Sequence, residues 1–469
     1  MTKQMTAPMP DAKPEPSAPA RHGNVDRLLN GPIGGTLFRL SAPNTVGFLV
    51  ASVVTVTEMW FVGQLGTTAL AGLALGFPMF MLMMMLSAGS MGGAIAAIVA
   101  RAVGGGDQEA AEALAWHALA IALLASILFA FAFLFLGEGL FILLGGRGDV
   151  LVATLAYAEV AFYGGVAVWM ANTFSSLLRG AGDMKTPARA MLLAAAIQIP
   201  VGGALTLGWG PVPGLGIVGV AWGAVVAFAI SGLYQAMRLV SGRSGLHLHL
   251  NALRFRPALF QQILRLGMVA SVSPVLTIST VVILTGLVST FGEEALAGFG
   301  IATRLEFILV PIVFGIGAAM ISMVGANIGA GQVARAERIG WTGGLSAALI
   351  AGAIGSLTAI WPEAWSGLFT TDSQVMMTAG LYLIIVGPFY AFHGLGLSLY
   401  FASQGAGAVH WPVLATIVRL FVTAGGGMIA VKYFDIGLAE LPWFVVAGMV
   451  VYGGGTAMSV YLGAWRKVR

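Results

Sequence analysis

Only 9% of the 469 residues are charged, against roughly 25% in an ordinary soluble domain, while 58% are hydrophobic and the mean hydropathy is +0.91. A soluble fold of this size is excluded; a chain whose outside is solvated by lipid is not. The absence of cysteine rules out disulfides, thiolate metal sites and cysteine nucleophiles, and a formal net charge of +4 is too small to suggest nucleic acid.

In chain order, residues 1–34 come first. Pro8, Pro10, Pro14, Pro16 and Pro19 lie there among Lys, Asp, Glu and Ser. No apolar run directly follows the first basic residues, so the stretch is expected to be a disordered cytoplasmic tail rather than a signal peptide. Six apolar stretches follow, at 37–62, 68–100, 111–136, 150–178, 187–209 and 215–240, each long enough to cross a hydrocarbon core of ~30 Å. A polar link, 241–257, carries Arg243, His247, His249, Arg254 and Arg256. Six more stretches complete the chain, at 259–290, 295–325, 336–361, 374–403, 411–431 and 440–464. The expected fold is an all-α integral membrane protein of about twelve transmembrane helices. Its expected parts are an N-terminal lobe, 35–240, and a C-terminal lobe, 258–469, around a central cleft.

Lys and Arg set the orientation. Of the 23, 19 fall on the tail, the even-numbered connections and the C-terminus. Both termini are therefore expected in the cytoplasm, with the chain a multi-pass protein of the inner membrane. Arg304 and Arg419 fall inside expected helices.

The sequence also repeats itself. Arg39-Leu40 matches Arg265-Leu266 and Ala69-Leu70-Ala71-Gly72 matches Ala295-Leu296-Ala297-Gly298, both at a shift of 226. At a shift of 225, Trp116 matches Trp341, Tyr157 matches Tyr382, Gly180-Ala181-Gly182 matches Gly405-Ala406-Gly407 and Pro187 matches Pro412. Each half has an even number of helices, so the halves are parallel repeats, an arrangement suited to alternating access by rocking.

Two glycine-rich motifs point elsewhere at first sight. Gly180-Ala181-Gly182-Asp183-Met184-Lys185-Thr186 lacks the Gly that a phosphate loop needs before its Lys-Thr pair, and no strand precedes it. Gly104-Gly105-Gly106 reads as a helix-ending turn. No metal-ligand spacing or serine-nucleophile motif is present, so an enzyme is not expected and no cofactor is implied.

Four motifs carry a family resemblance. They are Val62-Gly63-Gln64-Leu65-Gly66 leading into Ala69-Leu70-Ala71, Ala100-Arg101-Ala102-Val103-Gly104-Gly105-Gly106-Asp107, Leu178-Arg179-Gly180-Ala181-Gly182-Asp183 with Pro187, and Val324-Gly325-Ala326-Asn327-Ile328-Gly329-Ala330-Gly331. In this order and spacing the chain resembles the multidrug and toxic compound extrusion (MATE) transporters. The resemblance implies a two-lobe antiporter that expels small amphipathic, often cationic compounds in exchange for protons or sodium. A monomer is expected, with the substrate and the lipid bilayer as its partners.

Ionisable groups inside a bilayer are costly and are functional candidates by default. Glu58 lies fifteen residues after Pro43, at a spacing where the resemblance implies a proton-carrying aspartate. Its alternative is a carboxylate at the outer helix end, touching headgroups or water. Where the family carries Asn and Asp on the fifth helix, this chain has Gln198 and Gly202. Gln198 and Asn172 are expected as hydrogen-bond partners of Glu58, or as packing contacts between helices. The family's acidic positions on helices 7 and 10 fall on Thr277 and His393. An imidazole titrates near about 6.5 in water, so His393 is a second proton candidate, or a neutral residue bonded across helices.

Glu306 is expected near midplane, roughly 18 Å from the outer end of the eighth helix if that end is near Ala295, where it attracts cationic substrate or carries the proton. An ion pair with Arg419 or Arg304 is the structural alternative. Met79, Met81, Met83, Met84, Met85 and Met91 on helix 2 suit either an adaptable binding surface or ordinary packing. Export of compounds is the expected function, with protonation of Glu58, aided by Glu306 or His393, driving release outside. A lipid-linked precursor flippase of the same architecture is the alternative.

Overall fold

Hydrocarbon offers no hydrogen-bond partner, so an apolar run that crosses it satisfies its own backbone by becoming helical. A computed structural model describes residues 23–249, 252 and 255–467, and all twelve expected stretches are helical in it. The first element is α1 (Gly23–Asn30). Spans one to three are α2 (Ile33–Gly63), then α3 (Thr67–Met84) and α4 (Gly92–Gly104) joined by a π-helical segment, Met85–Met91, then α5 (Gln108–Leu143). Span four is α6 (Gly148–Tyr163) and α7 (Gly165–Gly180), bent by 46° at the Gly164-Gly165 pair, where no side chain stiffens the turn. Spans five and six are α8 (Lys185–Leu207) and α9 (Val218–Val240).

The second set opens with α10 (Pro257–Ser289). Span eight is α11 (Glu293–Thr303) and α12 (Glu306–Gly329); span nine is α13 (Val333–Ile360). A short α14 (Pro362–Ser366) precedes span ten, α15 (Ser373–Val386) and α16 (Tyr390–Ala406), joined by a 3₁₀ turn at Pro388. Span eleven is α17 (His410–Leu420) and α18 (Gly426–Phe434) through a π-helical segment; span twelve is α19 (Leu441–Tyr461). Expected and observed ends differ by a few residues.

The motif that resembled a phosphate loop is a turn between α7 and α8. Gly182 adopts φ +83°, a left-handed conformation that only glycine enters without steric cost. Asp183 then caps α8, its carboxylate accepting from the Thr186 amide at 3.0 Å and the Thr186 hydroxyl at 2.6 Å. Asp107, after Gly106, caps α5 in the same way, accepting from the Ala110 amide at 2.9 Å.

The first six spans and the last six each form a bundle, and α2 and α4 of the first pack on α12 of the second. Towards the face that carries most of the basic connections, small residues bring the backbones together. A Cβ at Gly104 would come within 2.1 Å of the Ala326 carbonyl oxygen, and one at Gly329 within 2.0 Å of the Arg101 carbonyl oxygen. Side chains join this seam: Arg101 donates to the Gly405 carbonyl at 3.1 Å, and Ser322 to the Arg179 carbonyl at 2.7 Å.

One expectation changes. The tail was expected to be disordered through residue 34, but residues 23–30 form α1, which docks on both bundles. Val25, Leu28 and Leu29 share one face of it and are buried. Leu28 lies against Gly182 of the first bundle, while Asn327 and Arg335 of the second donate to the Leu28 and Gly31 carbonyls. The apolar i, i+3, i+4 spacing was present in the sequence, masked by the proline-rich residues before it. Residues 1–22 lie outside the described residues.

The polar link is likewise pinned to the start of α5 over its described part. Gln108 donates to the Gly245 carbonyl at 2.9 Å, Trp116 to the His249 carbonyl at 3.0 Å, and Arg256 pairs with Glu109.

Replacing Leu28 and Leu29 together by Ala removes most of the apolar face that holds α1. The variant is expected to be cleaved by protease within residues 23–32 at rates the parent resists, with the helical circular-dichroism signal of the spans unchanged. Equal resistance in parent and variant would show that α1 is held by other contacts.

Candidate functional site

In the first bundle, α2 places Glu58 five residues short of its end at Gly63, roughly 8 Å along the axis, on the side away from the basic face. Glu58 is half-buried. Gln198, on α8 and 140 residues away in sequence, donates its Nε2 hydrogen to Glu58 Oε1 at 2.7 Å. Tyr157 of α6 is buried beside the pair. A carboxylate out of water needs such a donor, because an unpaired one costs far more than the bond returns.

Gly202, one helical turn on from Gln198, stands where a second carboxylate was looked for, and a Cβ there would meet only ordinary contacts, 3.8 Å from the Val220 Cα and 3.9 Å from the Gly223 Cα. It lies against Gly223 of α9, where an added Cβ would come within 2.6 Å of the Gly202 Cα. The α8–α9 crossing is closed by backbone contact, and the bundle carries one acid there. Asn172 does not join this cluster. Its Nδ2 donates to Ser87 Oγ at 2.8 Å, within the π-helical segment of span two. That segment also reaches the second bundle, where Ser90 donates to the Ala270 carbonyl at 3.2 Å.

In the second bundle the cluster is larger. Glu306 opens α12 and accepts from the buried Tyr390 hydroxyl at 3.3 Å. Tyr382, the counterpart of Tyr157 by sequence repeat, is buried next to them. His393 stands with its ring 6.4 Å from Tyr390 and 6.3 Å from Tyr452, and its Nδ1 is buried without a partner. Arg419 lies 5.4 Å over the Tyr452 ring, a cation–π contact. It lies near Glu306 without reaching ion-pair distance. Tyr382, Tyr390 and Tyr452 were not singled out as a site from sequence, whereas Arg419 was expected there as an ion-pair partner of Glu306. The only signal for the tyrosines was that polar groups on separate spans must find one another.

The expectation for span eight is corrected. It breaks at Arg304, so Glu306 begins a helix instead of sitting inside one. The break frees the Ile301 carbonyl, which accepts from Trp365 Nε1 at 3.0 Å. Pro311 cannot donate to the Phe307 carbonyl, and Ser52 of α2 donates there instead at 3.3 Å. Arg304 is exposed rather than enclosed, its guanidinium 5.2 Å over the Phe369 ring, and it pairs with neither Glu306 nor any other described carboxylate. Thr277 bonds its own helix, at the Ser273 carbonyl, and takes no part in the His393 cluster. On span two, Met83 and Met91 are packed, against Gly165 and Gly267.

A crevice of about 1560 Å³ opens between the bundles at the basic face, lined from α4, α5, α10, α12, α17 and α19. None of the sequence candidates lines it. Its basic residues include Arg101, Arg265 and Lys467.

The MatE family model matches residues 43–203 and 270–428, one segment in each bundle. A FAD transporter of Shewanella oneidensis is 26% identical over 401 residues, which cover 85% of this chain and 87% of the relative. A probable multidrug resistance protein NorM of Thermotoga maritima is 23% identical over 438 residues, or 92% and 93% of the two chains. Among solved structures, the outward-facing conformation of a multidrug resistance MATE family transporter of the MOP superfamily superposes with a TM-score of 0.84 at 25% identity, covering 95% of this chain and 99% of that one. A MOP superfamily transporter from Pyrococcus furiosus, described as having a binding pocket of reversed polarity, gives 0.85 at 25% identity over the same shares.

Gln198→Leu is expected to cost about 1–3 kcal/mol of stability by stranding the Glu58 carboxylate, and Glu58→Gln in the same chain should recover part of it. Thermal unfolding of the single and double variants measures the coupling. Strictly additive losses would mean that the two side chains do not depend on each other.

Proposed function

The chain belongs to the MatE family, whose members are ion-coupled transporters and not enzymes, and from that premise we propose that it exports small amphipathic, predominantly cationic compounds in exchange for protons. The carrying observation is the Gln198–Glu58 bond at 2.7 Å beside Tyr157, a single acid held by a neutral donor. An amide suits that place. Its NH₂ end donates to the carboxylate and its oxygen end accepts from the protonated acid, so one side chain serves both states.

Protonation and cation binding then compete for Glu58. Substrate binds the ionised acid from the cytoplasm, and a proton arriving from outside displaces it. For the exchange to be coupled, the proton must lower substrate affinity in the outward state, since a ligand with equal affinity for both states shifts nothing. Glu306, with Tyr390, is the second proposed acid. Arg419 beside it makes that cluster less negative than the first, and His393 is proposed as its polar neighbour. Sodium is the alternative coupling ion.

We further propose the domain plan 35–240 and 258–469 with the link 241–257 between them, both termini in the cytoplasm of an inner-membrane protein, and action as a monomer. The 19-to-2 bias of Lys and Arg between connections on the two faces supports the orientation. The NorM relative, named as a probable multidrug resistance protein, favours compound export over flipping of lipid-linked precursors.

In proteoliposomes, an imposed proton gradient is expected to drive export of a cationic dye and a sodium gradient alone is not. Glu58→Gln should reduce the proton-driven rate to that of empty liposomes while leaving the protein folded. Parental rates in that variant would remove Glu58 from the coupling step.

A further inference from the structure

The crevice at the basic face is two-sided in chemistry. Its mouth carries Arg101 on α4, Arg265 on α10 and Lys467 just beyond α19, against the single carboxylate of Asp107. Asp107 is engaged in capping α5, and Arg101 commits one nitrogen to the Gly405 carbonyl. Among the described residues, Arg265 and Lys467 form no ion pair.

Behind this mouth the wall is apolar. Trp411 and Leu414 on α17, with Met458 on α19 and Leu462 at its end, line the crevice and remain exposed. Along α19 the lining runs from Leu462 back to Val451, roughly 16 Å of helix. That is the depth of one leaflet, half of a core of ~30 Å.

We propose that the crevice binds an anionic phospholipid of the adjoining leaflet. Its phosphodiester sits between Arg265 and Lys467, within reach of Arg101, and its acyl chains lie along α17 and α19. The two halves of the argument are independent. Basic pockets between membrane helices on one face attract anionic headgroups, and only an occupant with hydrocarbon attached covers the wall that Trp411, Leu414 and Met458 leave bare. A soluble anion answers the charge and not the wall; a zwitterionic lipid answers the wall and not the charge. Because the crevice is walled by both bundles, a lipid seated there spans their junction.

The test uses the full chain, delipidated in detergent, with retained lipid counted by native mass spectrometry. The probes are phosphatidylglycerol, phosphatidylcholine and glycerol 3-phosphate. The parent is expected to retain one phosphatidylglycerol under conditions that strip phosphatidylcholine, and to retain no glycerol 3-phosphate. Arg265→Ala with Lys467→Ala should weaken that retention roughly thirtyfold, about fivefold for each cation removed. A control pair on the same face, Arg243→Ala with Arg338→Ala, should leave it unchanged. Both pairs are exposed, so neither threatens folding. Equal retention of the two lipids, retention of glycerol 3-phosphate, an unaffected Arg265/Lys467 variant, or an equal loss in the control pair would each overturn the proposal.

Discussion

Inside hydrocarbon, a carbonyl released by a break in its helix costs several kcal/mol unless another protein group takes it, and this chain breaks its helices repeatedly. Two of the released groups are answered from other elements. Ser52 of α2 takes the Phe307 carbonyl that Pro311 leaves unpaired, and Trp365 takes the Ile301 carbonyl at the break before Glu306. Three of the irregular segments adjoin the second cluster: the break in span eight precedes Glu306, the 3₁₀ turn of span ten precedes Tyr390, and the π-helical segment of span eleven follows Arg419. Irregular backbone is tolerated at membrane depth only where protein surrounds it, so these breaks have to lie among other spans.

The internal repeat is preserved in framework and altered in charge. Tyr157 and Tyr382, matched at a shift of 225, are each buried next to a carboxylate. The carboxylates come from unrelated positions: Glu58 from the first span of its bundle, Glu306 from the second span of the other. Their partners differ as well, a neutral amide for Glu58 and a tyrosine hydroxyl with Arg419 nearby for Glu306. A duplicated scaffold has thus kept the tyrosine and moved the acid, which makes the two bundles electrostatically unlike.

Rocking, the motion to which the parallel repeats are suited, has to part the seam at the basic face. There, glycine at positions 104 and 329 lets backbone meet backbone, and α1 lies across the junction with bonds to Asn327 and Arg335. Small residues give many weak dispersion contacts over a close approach. An ordered α1 adds a contact that parting the seam must release.

The sequence alone determined the twelve spans, the duplication and the few acids placed in apolar runs. Lipid solvation, turn chemistry and the cost of a buried charge are written residue by residue, and so Glu58 and Glu306 stood out. The partnership of Glu58 with Gln198 was also foreseeable, because both positions fall on a recognisable pattern. Tertiary structure alone decided that Asn172 turns to Ser87, that Arg304 leaves the interior for Phe369, that Arg419 and three tyrosines gather around His393, and that α1 docks. It also decided where the crevice opens. Those outcomes depend on the rotation and tilt of each helix, which packing against neighbouring spans sets; hydropathy records only which solvent a segment meets.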